Sequence, residues 1–308
     1  MKHLDNKVSP EKSNEYIEQL KDFDINSAAE LPIEEALSKI CVSKPYFAFN
    51  KIYKHKDFLI SKVSPEQQKG NELGKITVGE SGRHMAILGS VACGLKETSR
   101  HYYLAEKSHI TNYYDQPSTN NKHVFIAMRS SLAEKRRTRS EGVILDENMN
   151  LTHDIYVTYH KIAPPLFKKF FNKHFKKTPV DTFNPYTSSI NLKLNSDINN
   201  KLNITIPDID NESCAGHFSG CPAVPIAFFM HNIGQLCSNY ISKKNNHSGF
   251  VINEARLDLR ELMFSGSLNK NINSSYEQTP SGDFNFNTEI FQNNKLSGNI
   301  FFSITLKE

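Results

Sequence analysis

The stretch Cys214-Ala215-Gly216-His217-Phe218-Ser219-Gly220-Cys221-Pro222-Ala223-Val224-Pro225 decides the reading of this chain. Two glycines and two prolines impose an irregular backbone around a single histidine. The run that follows, residues 226–237, has the length and apolar density of a helix buried on most sides. A loop of this kind can hold an imidazole at the mouth of a buried tunnel.

His217, Phe218, Gly220, Pro222 and Pro225 match the pattern H-F-x-G-x-P-x-x-P position for position. In this the chain resembles the beta-hydroxyacyl-ACP dehydratases of the hotdog fold, a long helix wrapped in a curved antiparallel sheet. That family continues with a helix reading acid-A-M-x-Q, its acid fourteen positions after the loop histidine. Here the position holds His231, in His231-Asn232-Ile233-Gly234-Gln235, so the Gln is kept and the acid is lost. Ala255-Arg256-Leu257-Asp258-Leu259-Arg260 and Ser265-Gly266-Ser267-Leu268 resemble the strand and turn that follow the family's helix. The likeness spans residues 185–306 and supplies half an active site.

The other half lies upstream. Gly79-Glu80-Ser81-Gly82-Arg83-His84-Met85-Ala86-Ile87-Leu88-Gly89-Ser90 opens a second apolar helix, with Glu80 in the acid position and His84 in the Gln position of the same frame. Pro45-Tyr46-Phe47-Ala48-Phe49-Asn50-Lys51-Ile52 reads as an opening strand and residues 57–63 as its partner. Residues 123–132, 142–145 and 155–159 alternate or run apolar at strand length. The position fourteen before Glu80 is Glu66, and nothing around it resembles the loop signature. The expected fold is therefore α+β, a double hotdog of two long helices, each wrapped by a curved antiparallel sheet, with the sheets joined side by side. Its expected parts are a polar, partly helical extension (1–41), a first hotdog (42–163), a linker helix region (164–184) and a second hotdog (185–308). Residues 195–203 and 269–282 read as loops.

The resemblance implies a site shared between the halves, with His217 and Glu80 catalytic. His217 would take the C2 proton of a 3-hydroxyacyl thioester, and Glu80, its pKa raised by burial, would assist the departing hydroxyl. The backbone N–H after the second proline, here Ile226, would polarise the thioester carbonyl. Gly220, Phe218, Arg83 and His84 complete the expected substrate-binding set. Arg83 and His84 also share a helix face with Glu80 and could hold it ionised. The implied activity is that of a 3-hydroxyacyl-[acyl-carrier-protein] dehydratase in fatty-acid or polyketide-like assembly, needing no cofactor beyond the carrier's phosphopantetheine, with one chain sufficient for one site. Three alternatives stand beside it. One is a hotdog thioesterase in which Glu80 activates water, one an acyl transferase suggested by Glu80-Ser81-x-Arg83-His84, and one an inactive partner subunit. Phe218, Phe228, Phe229, Met85 and Ile87 are the nearest candidates for an acyl tunnel.

Composition bounds these readings. At 308 residues and 38% hydrophobic content the chain can support two ordinary domains or one fused pair. A net charge of +4 is too mild to argue for nucleic acid. Its clusters, Lys135-Arg136-Arg137 with Arg139 and Lys168-Lys169, Lys173 and Lys176-Lys177, read either as solvated faces or as a dock for an acidic acyl carrier protein. No run reaches the ~18–20 apolar residues of a membrane span, and the first residues lack a signal-peptide core, so a cytoplasmic location is expected. The five cysteines are odd in number and lack C-x-x-C pairs, consistent with reduced thiols. Cys214, His217 and Cys221 do not have a usual zinc spacing, and no metal is expected.

Overall fold

The computed structural model describes residues 9–113, 122–176, 184–218, 220–266 and 270–308. Lys177, Ser219, Ser267, Leu268 and Asn269, named above, lie outside the described residues. Five α-helices are described: α1 (Pro10–Leu20), α2 (Ile33–Lys39), α3 (Val78–Gly94), α4 (Pro164–Phe171) and α5 (Ile226–Lys244). The strands are β1 (Ala29–Leu31), β2 (Ile52–His55), β3 (Phe58–Val63), β4 (Tyr102–Asn112), β5 (Val124–Ala133), β6 (Arg137–Leu145), β7 (Leu151–Ile162), β8 (Lys193–Ile198), β9 (Lys201–Thr205), β10 (Gly249–Leu259), β11 (Lys270–Gln278), β12 (Phe284–Gln292) and β13 (Lys295–Lys307).

The two long helices are apolar on nearly every side, so each must be enclosed rather than laid on a surface. One sheet of thirteen strands does this, in the order β1-β2-β3-β5-β6-β7-β4-β10-β13-β12-β11-β9-β8. The part up to β4 wraps α3, and the part from β10 wraps α5. The parts join through an antiparallel β4–β10 ladder, from Thr111 opposite Glu254 to Lys107 opposite Asp258. This is the double hotdog, sheets side by side. The helices pack against each other at Gly79, where an added Cβ would lie 2.4 Å from the Cβ of His231. The frame-equivalent positions Glu80 and His231 therefore meet near this crossing.

Three local expectations are corrected. Residues 195–203 are not a loop but most of the β8–β9 hairpin, turned at Asn199 and Asn200, both at positive φ. Residues 269–282 contain β11, whose Ile272, Ser274 and Tyr276 face inward. In both, the solvent-facing positions carry Asn, Ser and Lys, so half of each strand has a loop-like composition. Conversely, residues 45–51 are turn and coil, and the opening strand starts only at Ile52.

The N-terminal extension is not loose surface. β1 pairs with β2, and α1 lies on the outer face of the first half, burying Tyr16 and Leu20 against Phe58, Ile60, Val143 and Leu145.

Candidate active site

The loop before α5 is shaped by backbone. Gly216 (φ +75°) runs so close to Ser43 and Lys44 that a Cβ would lie 2.4 Å from the Ser43 carbonyl oxygen, and the Ser43 N–H donates to the Gly216 carbonyl at 2.8 Å. Gly220 is also left-handed (φ +72°). Pro225 then starts α5 with extended backbone and no side chain capping the first turn. Among the described residues the amides of Ile226 and Ala227 have no hydrogen-bond partner.

His217 sits over this end. Its Nδ1–H donates to the Ala223 carbonyl at 2.8 Å, which leaves Nε2 as the acceptor nitrogen, without a hydrogen-bond partner among the described residues. The ring stacks on Phe218 at 4.1 Å and meets the edge of Tyr46 at 4.7 Å. Burial pushes its pKa down to about 4, against the opposing pull of the Ala223 carbonyl, so the imidazole is neutral at pH 7.

The imidazole borders a cavity of about 70 Å³ between the halves. Phe218, Ile226 and Ala227 line it from the second half, and Ala86, Ile87 and Ser90 of α3 from the first. One chain therefore supplies both walls. Leu104, Ala105, Leu259, Glu261 and Leu262 are shared with an outer vestibule of about 750 Å³, bordered also by Lys107, Lys173, Arg260 and Phe170. Of the residues expected to form a tunnel, Phe218 and Ile87 reach the cavity. Phe228, Phe229 and Met85 are core.

Glu80 is placed differently. It is the third residue of α3, 1% exposed, and not among the cavity's lining residues. Its carboxylate accepts the backbone N–H of Glu66 at 2.7 Å and of Gln67 at 3.2 Å, and lies 3.3 Å from His84 Nε2. Burial alone would raise its pKa, but His84, the Glu66 N–H and Arg83 outweigh it and hold the carboxyl below the usual range. His84 is held low by burial and the Arg83 charge. Arg83 pairs with Glu66 and lies over the Tyr186 ring at 5.1 Å. Glu66, Glu80 and His84 offer atoms within 4.8 Å of one another, as a metal would require. The Arg83 guanidinium, 4.0 Å from Glu80 and 3.3 Å from His84 Nε2, already brings a positive charge to that cluster.

His217 and Glu80 share no hydrogen bond or ion pair among the described residues. A relay of rings runs between their neighbourhoods, from His217 to Tyr46, from Tyr46 to Tyr186 at 5.2 Å, and from Tyr186 to Arg83. Sequence reasoning missed Tyr186, Tyr159 and Glu72. Glu72 accepts the Val78 N–H and the Gln235 side-chain N–H, both at 2.8 Å, and burial pushes its pKa up to about 7, with those two donors opposing. No periodicity marks an acid in an irregular loop, so only packing could find it. His231, beside Gly79, is driven down to about 4 by burial.

No protein-family model and no curated protein sequence matches the chain. Among solved structures it is similar to a putative thioesterase II from Thermobifida fusca, with TM-score 0.53, 10% identity, 87% of this chain and 100% of that one covered. It is similar to the TesB protein of Mycobacterium avium subspecies paratuberculosis, with TM-score 0.52, 6% identity and 83% and 96% covered. A hotdog-fold protein of unknown function from Alicyclobacillus acidocaldarius gives TM-score 0.51, 7% identity and 87% and 99%. At such identities the likeness establishes the fold. It also corrects the expectation of a dehydratase. The similar structures from Thermobifida fusca and Novosphingobium aromaticivorans are described as putative thioesterases, hydrolases rather than lyases, and neither dehydration nor a polyketide-like setting is supported.

Proposed function

We propose that the chain is an acyl-thioester hydrolase working in the cavity between its two halves. The observation that carries this reading is one juxtaposition. An imidazole with a free Nε2 and the uncapped N-terminus of α5 border the same largely apolar space. In the proposed reaction Nε2 takes a proton from a water molecule as its oxygen attacks the thioester carbonyl carbon. The carbonyl oxygen becomes an oxyanion facing the first-turn amides of α5, which cost no reorganisation at that moment. Collapse expels the sulfur, and the imidazolium returns the proton to the thiolate. A base with a pKa near 4 is weak in the resting site. The oxyanion formed beside it is the charge that raises it when needed.

Glu80 has a structural part in this scheme. Its oxygens hold two backbone amides of the preceding loop, which disfavours the variant in which it activates water. The carrier arm would lie in the vestibule. The vestibule's rim carries both signs, Lys107, Lys173 and Arg260 with Glu106, Asp258 and Glu261, and Lys107 lies 3.9 Å from Asp258, so charge alone does not choose between an acyl carrier protein and coenzyme A. No described helix is long and apolar enough to cross a membrane.

The test is release of free thiol from acyl-coenzyme A and acyl-carrier thioesters by the purified protein. His217→Ala should lower kcat by about 10²–10⁴-fold. Full activity in His217→Ala together with its loss in Glu80→Gln would transfer the base to the carboxylate and overturn the assignment.

A further inference from the structure

We infer that the acyl group taken by this site is short, of about two to four carbons, with Tyr159 setting the limit. The inference rests on the reading that the inner cavity holds the acyl chain. At about 70 Å³ the cavity has roughly half the volume of one that accommodates a single benzene. An eight-carbon chain does not fit in it.

The boundary is built not to yield. The Tyr159 hydroxyl donates to the Ala86 carbonyl at 2.8 Å and meets Ser140 Oγ at 3.0 Å, so the ring is tied at its far end to both α3 and β6. It is 1% exposed. α3 is pressed into the same corner at Gly89, where a Cβ would lie 2.1 Å from Ser140 Oγ and 2.8 Å from the Tyr159 hydroxyl. The edge of Tyr103 packs on Tyr159 at 5.9 Å and 87°, and its hydroxyl lies 3.4 Å from where a Gly94 Cβ would be. Swinging Tyr159 aside would break two buried hydrogen bonds and displace a second ring in a close-packed interior. The opposite end of the cavity, at Leu104, Leu259 and Leu262, is the side shared with the vestibule, and there the thioester and its arm must emerge.

Two measurements on the whole protein test this. The first is kcat/KM for acetyl-, butyryl-, hexanoyl-, octanoyl- and dodecanoyl-coenzyme A, where a fall of at least about tenfold is expected between butyryl and octanoyl. The second is calorimetric binding of the non-hydrolysable thioether analogues of the same series, with the same preference expected in Kd. Ile87→Ala, which enlarges the cavity from the α3 wall, should lengthen the preferred chain by about two carbons in both measurements. Short-chain thioether binding without any hydrolysis would overturn the hydrolase reading and leave this inference standing. Hydrolysis or binding that is flat or improves toward dodecanoyl would overturn the inference and leave the hydrolase reading, placing the chain in the vestibule. Failure to bind any member of the series overturns the inference as well.

Discussion

The two core helices begin in opposite ways, although each is the core of one hotdog. In the first turn of α3 two of the amides, those of Val78 and Glu80, are held by side chains. Thr77 Oγ1 accepts the Glu80 N–H at 3.1 Å while donating to Gln67 Oε1 at 3.0 Å, Glu72 accepts the Val78 N–H, and Glu80 reaches back to Glu66 and Gln67. The loop ahead of it is also packed onto the other helix, since a Cβ on Gly70 would lie 2.7 Å from Gln235 Oε1. The first turn of α5 has a proline before it and no side-chain cap. Every helix start leaves the same orphan amides. The first half engages two of them with side chains of its own loop, and in the second the residues that carry them, Ile226 and Ala227, line the cavity. Under the proposed function, a fused pair with this division keeps one end for structure and one for a ligand.

The widest separation between the two ends should appear in a paired substitution. His217→Ala should lose its 10²–10⁴-fold in kcat while its urea midpoint hardly moves. Glu80→Ala, which strips two backbone amides and the Arg83–His84 pair of their buried carboxylate, should cost about 3–5 kcal/mol in urea unfolding and leave kcat of the folded protein within a few-fold. If the two variants exchange these phenotypes, the division of labour is reversed.

The pH dependence of hydrolysis separates the ends next. The base form of His217 is lost only as pH falls through about 4, so the acid limb of kcat/KM should lie near pH 4 and not near the ordinary 6.5. At pH 5 the enzyme should keep most of its activity. A limb at 6.5 would mean that the half-buried imidazole is not depressed by its surroundings.

At the α3 end the expected pH effect is on stability and of opposite direction. Glu72 has its folded pKa raised from 4.5 to about 7, so the folded chain holds this proton more tightly than the unfolded one. Its contribution is fully present below pH 4.5 and is lost as pH rises through 7, amounting to about 3 kcal/mol. Urea midpoints of wild type and Glu72→Gln between pH 4 and 8 should diverge in that window, and parallel curves would remove Glu72 from the account.

The smallest effect compares a glycine from each helix. Gly79→Ala drives a Cβ into His231 and should cost about 1–3 kcal/mol. Gly234→Ala meets only the end of Ile252 at 3.2 Å, and the helix preference for Ala should offset it, leaving stability within about 1 kcal/mol. Equal costs would show that the helix crossing is no tighter at Gly79 than elsewhere.

How much of this was legible varies by residue type. The H-F-x-G-x-P loop and two buried helices were readable because Gly, Pro and an unbroken apolar run report backbone shape directly. β8, β9 and β11 were not, because a strand with one wet face shows only every second residue to the core. The pairing of His217 with Glu80 was drawn by analogy. The residue types were right for such a pair, but the residue types do not tell which way a side chain leaves its helix.

By itself, then, the sequence determined that two long helices must each be enclosed by strands and that an imidazole stands in a rigid loop before the second, since apolar patterning and backbone punctuation are local properties. Which polar groups remain free was decided only by the tertiary structure. Glu80 became an anchor because the loop bearing Glu66 folds onto it. Among the described residues His217 Nε2 has no partner, while the Ala223 carbonyl takes Nδ1. Tyr159 of β7 became part of the cavity wall because its hydroxyl reaches the Ala86 carbonyl of α3. Hydrogen-bond satisfaction and free volume depend on groups far apart in the chain, and no local pattern carries them.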